Sequence, residues 1–394
     1  MSLPEDMVRE ILVRLKDVDD LFRCAKTCRQ WSCLVADVRR RRWPDRRSLF
    51  LSGFFIRKSS AKSFFPRRRS VFGPDPCRLG SFFPDAATRG LLKRATPLAA
   101  RHGLLLVRLP SSGAWLHLAV CNLLAGTCDV LPPLVCRWTY RNSGYAIFTS
   151  ADSSSIGEQQ TSSPGYSALF KVLDICSLRC GQPYYLHTFS YHEARWKWNK
   201  PTEMVPDPTK TGFCPPLMHP NAVICHGNAH WLVGWNFDRP WASSLRTIDV
   251  HVETCHVSLT KIVSPVQYSS YQYDEPHLSV AADGALSLIF MERPGNNSQR
   301  FEIAIYTRQD GPRSEDGGPL GWLRSRVIEL KPPNQIQAER MHLTFLGEKG
   351  GTLVIRDNYM NLYAADLESG DMEKLMYRGR VSQRMFIPFD IYWP

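Results

Sequence analysis

Two hydrophobic periodicities divide the chain. In the opening forty or so residues the apolar positions recur at helical spacing. Met7, Ile11 and Leu15 lie four apart, as do Val8 and Leu12, and together they make one apolar stripe. Glu5, Asp6, Arg9, Glu10 and Arg14 fill the polar side. Ser2 and Glu5 have capping-box spacing, and Pro4 suits a first turn, where its missing N–H would be unsatisfied anyway. An acidic link, Asp17 to Asp20, leads to a second helical pattern at Leu21, Phe22, Ala25 and Cys28. A third follows at Trp31, Leu34, Val35 and Val38. Three short helices enclose a very small core, which gains stability by laying an apolar face on a partner.

From about residue 100 the pattern turns strand-like: β-branched, aromatic and apolar runs bounded by Gly, Pro, Asn and Asp. The clearest run reads as a strand at Gly103–Leu109, a strand at Leu116–Asn122, a turn at Ala125-Gly126 and a third strand at Thr127–Leu131, ended by Pro132-Pro133. The same unit recurs more loosely in YSALFKVLDICS, AVICHGNAHWLVGWN, HLSVAADGALSLIFMER and LTFLGEKGGTLVIRD, each with its following strand. Reiteration of one strand unit predicts a radial repeat, the β-propeller, in which each unit's apolar faces are covered only by its neighbours. Six blades are expected, within a range of five to eight. A sandwich or a barrel is the alternative. The final FIPFDIYWP is expected to pair with the strand near Leu49 to Ile56 and close the ring.

Charge refines this picture. Residues 1–95 hold 22 of the 49 Lys and Arg but 10 of the 37 Asp and Glu, so the net +12 belongs to the front of the chain. Its centre runs from Arg39 to Arg69, with Asp45 the one acid. Arg39, Arg40, Arg41, Arg42, Arg46 and Arg47 form a candidate nuclear-import run, against a plain reading as a solvated connector. Nucleic acid is not the expected partner, because no element that could carry base contacts is visible. No secretory leader and no apolar window of membrane-spanning length are read, so the protein is expected in the cytoplasm, the nucleus or both.

The opening residues carry a specific resemblance. Leu3-Pro4-Glu5-Asp6, then Ile11-Leu12-x-Arg14-Leu15, then Asp20-Leu21-x-Arg23, then Cys28-Arg29-x-Trp31-x-x-Leu34-Val35 closely resembles an F-box in order, spacing and residue type. Lys16 departs from it, standing where the family often has Pro, which would lengthen the first helix by a residue. The resemblance implies docking to the Skp adaptor of a cullin–RING ubiquitin ligase. Its apolar positions fall on Leu3, Pro4, Ile11, Leu12, Leu15, Leu21, Cys28, Trp31, Leu34 and Val35, some packing the helices together and some facing the adaptor. The unit around Val120-Cys121-Asn122 and Gly126 resembles the F-box-associated β-propeller of large plant families, especially grasses.

Catalytic signatures are not found: no G-x-S-x-G elbow, Walker loop, H-E-x-x-H or dinucleotide fingerprint. Cys24, Cys28 and Cys33 lack zinc-site spacing, His226 and His230 read as turn-flanking, and Cys176 and Cys180 read as structural. No cofactor and no metal are expected. His187, His192 and Glu193 make a small cluster with no assigned role. Trp235, Arg239 and Trp241 in GWNFDRPW are candidate recognition residues, since Trp and Arg anchors dominate interface energetics.

The expected architecture is an α+β multidomain chain. It comprises a three-helix F-box domain (1–42), a basic linker that can also hold the first propeller strands (43–95) and a mainly antiparallel all-β propeller-like recognition domain (96–394). The expected function is that of a non-catalytic substrate receptor in an SCF-type (Skp–cullin–F-box) ubiquitin ligase, presenting an unidentified protein substrate. The alternatives are a propeller binding protein or hydrolase with a helical cap, and a basic nucleic-acid binder.

Overall fold

The structure is a computed structural model of the 394-residue chain. It describes residues 4–15, 18–25, 30–31, 34–35, 37–38, 50–56, 64–66, 70, 72, 75–111, 115–135, 142–149, 152, 170–177, 184–190, 197–199, 202–204, 216–234, 245–262, 276–281, 283–292, 301–308, 321–333, 343–378 and 386–391.

Helix α1 spans Glu5–Arg14 and α2 spans Val18–Ala25. Acids in the first turn of α1 (Glu5, Asp6) and Arg14 in its last turn suit the helix dipole. Glu5 and Glu10 each accept from an arginine one turn on, at 3.3 Å from Arg9 and 2.6 Å from Arg14. Two expectations are corrected. The N-cap is Pro4 with no side-chain cap, in place of a box built on Ser2, and α1 stops at Arg14 with Leu15 extended, so the helix is not lengthened toward Lys16. Residues 30–31, 34–35 and 37–38 are helical, but the third helix has no described bounds.

The described strands form seven antiparallel sheets, six of them blades and the seventh a two-stranded pair. Strands β1 (Phe50–Ile56) and β2 (Phe64–Pro66) begin blade 1. A short helix, Ala86–Leu92, follows, with Asp85 accepting from the Thr88 amide at 2.7 Å as its N-cap. Blade 2 has β3 (Thr96–Arg101), β4 (Leu104–Arg108), β6 (Leu118–Asn122) and β7 (Thr127–Val130), while β5 (Trp115–Leu116) pairs with β8 (Leu134–Val135) beside it. Blade 3 has β9 (Asn142–Thr149), β10 (Phe170–Ser177), β11 (Tyr184–Ser190), β12 (Lys197–Trp198) and β13 (Thr202–Met204). Blade 4 has β14 (Val223–Cys225), β15 (Asn228–Val233), β16 (Arg246–His251) and β17 (Val257–Lys261). Blade 5 has β18 (His277–Val280), β19 (Leu286–Glu292), β20 (Glu302–Arg308) and β21 (Trp322–Glu329). Blade 6 has β22 (Leu343–Lys349), β23 (Thr352–Asp357), β24 (Asn361–Asp366) and β25 (Met372–Arg378).

The last strand, β26 (Phe386–Ile391), returns to blade 1 and pairs antiparallel with β1, from Phe50↔Ile391 to Ile56↔Phe386. This is the closure anticipated from the two aromatic ends of the chain. Gly53 sits at its centre because a Cβ there would meet the Phe65 carbonyl oxygen at 2.5 Å. Inner strands β26, β3, β9, β14, β18 and β22 each touch the next, and β22 touches β26, so the ring closes with six blades.

Period-two alternation explains why the ring needs all its members. On blade 3, Tyr145, Ile147, Val172 and Phe189 pack with Leu98, Leu106 and Val120 of blade 2. Their neighbours Ala146, Phe148, Leu173 and Ile175 pack with Ala229, Trp231 and Val250 of blade 4. The helical head joins this system. Val8, Leu12, Leu21, Ala25, Leu34, Val35 and Val38 share one contiguous apolar cluster with Phe55, Phe64, Phe83 and Phe389 of the ring and its approach.

Candidate functional site

Helix α1 is amphipathic twice over. One side, Val8 and Leu12, is buried against α2 and the helical residues that follow it. The other side leaves Met7 at 52 % exposed and Ile11 at 43 %, with exposed Pro4 a turn before and half-buried Leu15 a turn after. Spacings of three, four and four residues put these four side chains in a row along one helix face. An apolar row with its polar neighbours held in ion pairs is a surface shaped for contact with another apolar surface.

The ten residues singled out by the resemblance separate accordingly. Ile11 and Pro4 face outward, Leu12, Leu21, Leu34 and Val35 are buried, and Leu15 and Trp31 lie between. Leu3 and Cys28 are outside the described residues, as are Trp235, Arg239, Trp241 and the basic run Arg39, Arg40, Arg41, Arg42, Arg46 and Arg47. Met7 was not among the ten. Its signal was present in the 7–11–15 spacing, but the adjoining 8–12 pair blurred which stripe faced out.

The ring has a second polar feature, at the C-terminal ends of its inner strands. Arg101 ends β3 and holds Asp152, just beyond β9, with Nε at 3.0 Å and Nη2 at 2.5 Å. His102 Nδ1 meets Thr149 Oγ1 at 2.7 Å across the same junction. The Gly103 amide donates to the Asp390 carbonyl at 2.8 Å, linking blades 1 and 2. Cys225 Sγ donates to the Gly284 carbonyl at 3.0 Å, linking blades 4 and 5. Ser279 donates to Glu348 between blades 5 and 6, and Lys349 lies 3.7 Å from the fully buried Asp390 between blades 6 and 1. Because strand ends meet strand ends, all these links lie at one mouth of the ring.

Three carboxylates, Asp152, Glu348 and Asp390, thus converge on the ring mouth. Asp152 and Glu348 are hydrogen-bonded to a neighbouring blade, while Asp390, whose carboxylate oxygens have no hydrogen-bond partner, is approached by Lys349. Burial acts against ionisation of Asp152, but the Arg101 guanidinium and the Thr149 amide hold its carboxyl below the usual range. Burial, with Arg101 beside it, pushes His102 down to about 4, so it is neutral near pH 7. Such pairing makes struts, not an acid–base pair poised around one substrate atom. Among the described residues one set has metal-ligand chemistry. Asp174, Cys176 and His187 lie inside blade 3, toward the end of β9 remote from Thr149.

A family model described as F-box-like matches residues 1–42. No curated protein matches the chain. Among solved structures, puromycin hydrolase is similar at 13 % identity and a TM-score of 0.37, over 72 % of this chain and 39 % of that one. An alpha-L-arabinofuranosidase from Fusarium graminearum is similar at 14 % and 0.36, over 71 % of this chain and 79 % of that one. The β-propeller domain of Cps50 (Swd1) from Myceliophteria thermophila is similar at 11 % and 0.32, over 73 % and 87 %. The fold rests on the strand pairing and not on these likenesses. The chain carries an F-box-like domain at its N-terminus, followed by a six-bladed propeller-like ring.

Proposed function

We propose that this chain is the substrate receptor of an SCF-type ubiquitin ligase. In this reading α1 docks a Skp adaptor through Pro4, Met7, Ile11 and Leu15, and the ring holds a protein destined for ubiquitination. The observation that carries it is a coincidence of two independent facts. The F-box-like match covers residues 1–42, and within it one helix keeps an apolar row in solvent while the adjoining row is already buried. A helix serving only its own core would need one such row.

The chain itself would perform no bond chemistry. Its contribution is proximity: a target bound on the ring is held near the ubiquitin-charged enzyme recruited through the adaptor, which raises effective concentration. Continuity of the apolar core between head and ring suits that role, because a head anchored to the ring presents its cargo in a limited set of orientations. The ring's two faces differ. One carries the polar links, and β15 ends and β16 begins at the other, the face to which this proposal gives Trp235, Arg239 and Trp241. We assign target recognition to that second face. The basic run from Arg39 to Arg47 is proposed as the nuclear-import signal, and the grass-type plant family as the chain's relatives.

The test is adaptor binding by the purified full chain, wild type beside a Met7→Asp, Ile11→Asp variant. Binding by wild type and its loss in a variant that melts at the same temperature support the docking face. Equal binding by both overturns it.

A further inference from the structure

Asp174 is wholly buried in a strand whose neighbouring buried residues Val172, Leu173 and Ile175 are apolar, and neither carboxylate oxygen has a hydrogen-bond partner. An isolated carboxylate out of water is costly enough that proteins pair it, protonate it or place a cation on it. No lysine or arginine acts on it. Burial is the single influence on its acidity, raising the carboxyl to about 7.

What surrounds Asp174 is ligand chemistry. Cys176 lies two residues along the same strand and therefore on the same face. His187 is the direct cross-strand partner of Asp174 on β11. A carboxylate oxygen, the Cys176 sulfur and a His187 ring nitrogen lie within 4.8 Å of one another, and all three residues are buried. The Nδ1 of His187 is likewise buried without a partner. On the third strand, Ser143 is the register partner of Cys176, and its buried hydroxyl is also unpartnered. Three unmatched polar groups from three strands of one blade thus share, with the Cys176 thiol, a face that is otherwise an apolar seam against blade 2.

We propose that Asp174, Cys176 and His187 bind a divalent transition-metal ion of the zinc class, as a brace across β10 and β11. Oxygen, sulfur and imidazole nitrogen together are a borderline-soft donor set suited to zinc. A carboxylate and a thiolate cancel its double charge, so the occupied site is neutral inside the seam. Tetrahedral zinc, with bonds of about 2.0–2.3 Å, holds its ligands roughly 3.5 Å apart, a spacing within reach of ligand atoms that already lie within 4.8 Å of one another. Ser143, the register partner of Cys176, is the residue we assign to the fourth position. Because burial excludes substrate, the ion's role is structural, and this inference is independent of adaptor docking.

The experiment uses the full chain, with zinc and cobalt as probes and Asp174→Asn and Cys176→Ser as variants. The expected result is one zinc per chain in wild type, a melting temperature that falls on chelation and recovers on adding zinc, and zinc loss in both variants. Cobalt loaded into stripped wild type gives a sulfur-to-metal charge-transfer band, which Cys176→Ser abolishes. Asp174→Asn removes the lone carboxylate at constant shape, so it melts no lower than stripped wild type, which separates lost metal from lost fold. Folded wild type that takes up neither ion and ignores chelator overturns the proposal and leaves a protonated carboxyl beside His187. A sulfur band that persists in Cys176→Ser places the metal elsewhere in the chain and overturns it equally.

Discussion

Ile11 and Leu12 are consecutive on helix α1 and have opposite fates: Ile11 is 43 % exposed and Leu12 is fully buried. One residue of helix is about 100° of rotation, enough to carry a side chain from the head's core to its outer face. Substitutions at the two sites should therefore act on different properties. Leu12→Ala opens a cavity and should cost about 2–5 kcal/mol of stability, whereas Ile11→Ala should stay within about 0.5 kcal/mol. Thermal or denaturant melts of the two variants beside wild type measure the contrast. A loss of adaptor binding in a Leu12 variant would follow from unfolding alone, so the outward residues are the informative ones.

The ring's integrity should depend on its last strand. Phe389 and Phe55 are both fully buried, with ring centroids 5.7 Å apart edge to face across the β1–β26 pairing. Phe389→Ala should cost about 3–5 kcal/mol. Removal of the strand from Phe386 onward should expose β1 and both flanking blades to protease. Limited proteolysis that leaves the truncated ring as resistant as the intact one would contradict the closure.

The junction between blades 3 and 4 leaves no room at Gly144. A Cβ there would lie 2.5 Å from Nε1 of the fully buried Trp231. Gly144→Ala should destabilise by about 1–3 kcal/mol through overpacking. A compensating Trp231→Phe, which removes the nearest atom, should recover part of that loss. Melting temperatures of the two single variants and the double variant test this coupling.

Acid should weaken the ring through its buried histidines. His102 is held down to about 4, by burial first and by Arg101 second, whereas an unfolded histidine titrates near about 6.5. The unfolded chain therefore binds the proton more readily. The stability this group allows is complete above about pH 6.5 and falls by roughly 1.4 kcal/mol per pH unit on the way down to its folded value. His277, wholly buried and lowered by burial and by His219, acts in the same direction. His102 has a positive φ of 50°, which Asn tolerates, so His102→Asn should flatten part of the stability slope between pH 6.5 and 4. An unchanged slope would show that His102 is protonated in the folded ring.

How much of this was legible in the sequence varied with the physics involved. Ring closure was readable because both of its strands are aromatic runs, FLSGFFI and FIPFDI, that need a partner. The reading began the first full unit at Gly103 and missed β3, since TPLAAR carries a proline and small residues and has no clear alternation. The inner strands β14 and β18, of three and four residues, are likewise too short to announce a period. On α1 the apolar positions read as one stripe, and only packing against Leu21 and Val35 divides it into a buried and an exposed row. The junction links were invisible for a different reason. Arg101 and Asp152 are 51 residues apart, and only the closed ring brings them together. Cys176 was read as structural and His187 was grouped with His192, because the hairpin register that sets His187 opposite Asp174 is a tertiary fact.

The most direct test of the docking account is the affinity of the purified full chain for a Skp adaptor, measured by calorimetry for wild type and for Met7→Asp, Ile11→Asp. The account predicts specific binding by wild type and at least a hundredfold weaker binding by the variant, about 3 kcal/mol, with the melting temperature unchanged. No binding by folded wild type, or equal binding by both proteins, would contradict it.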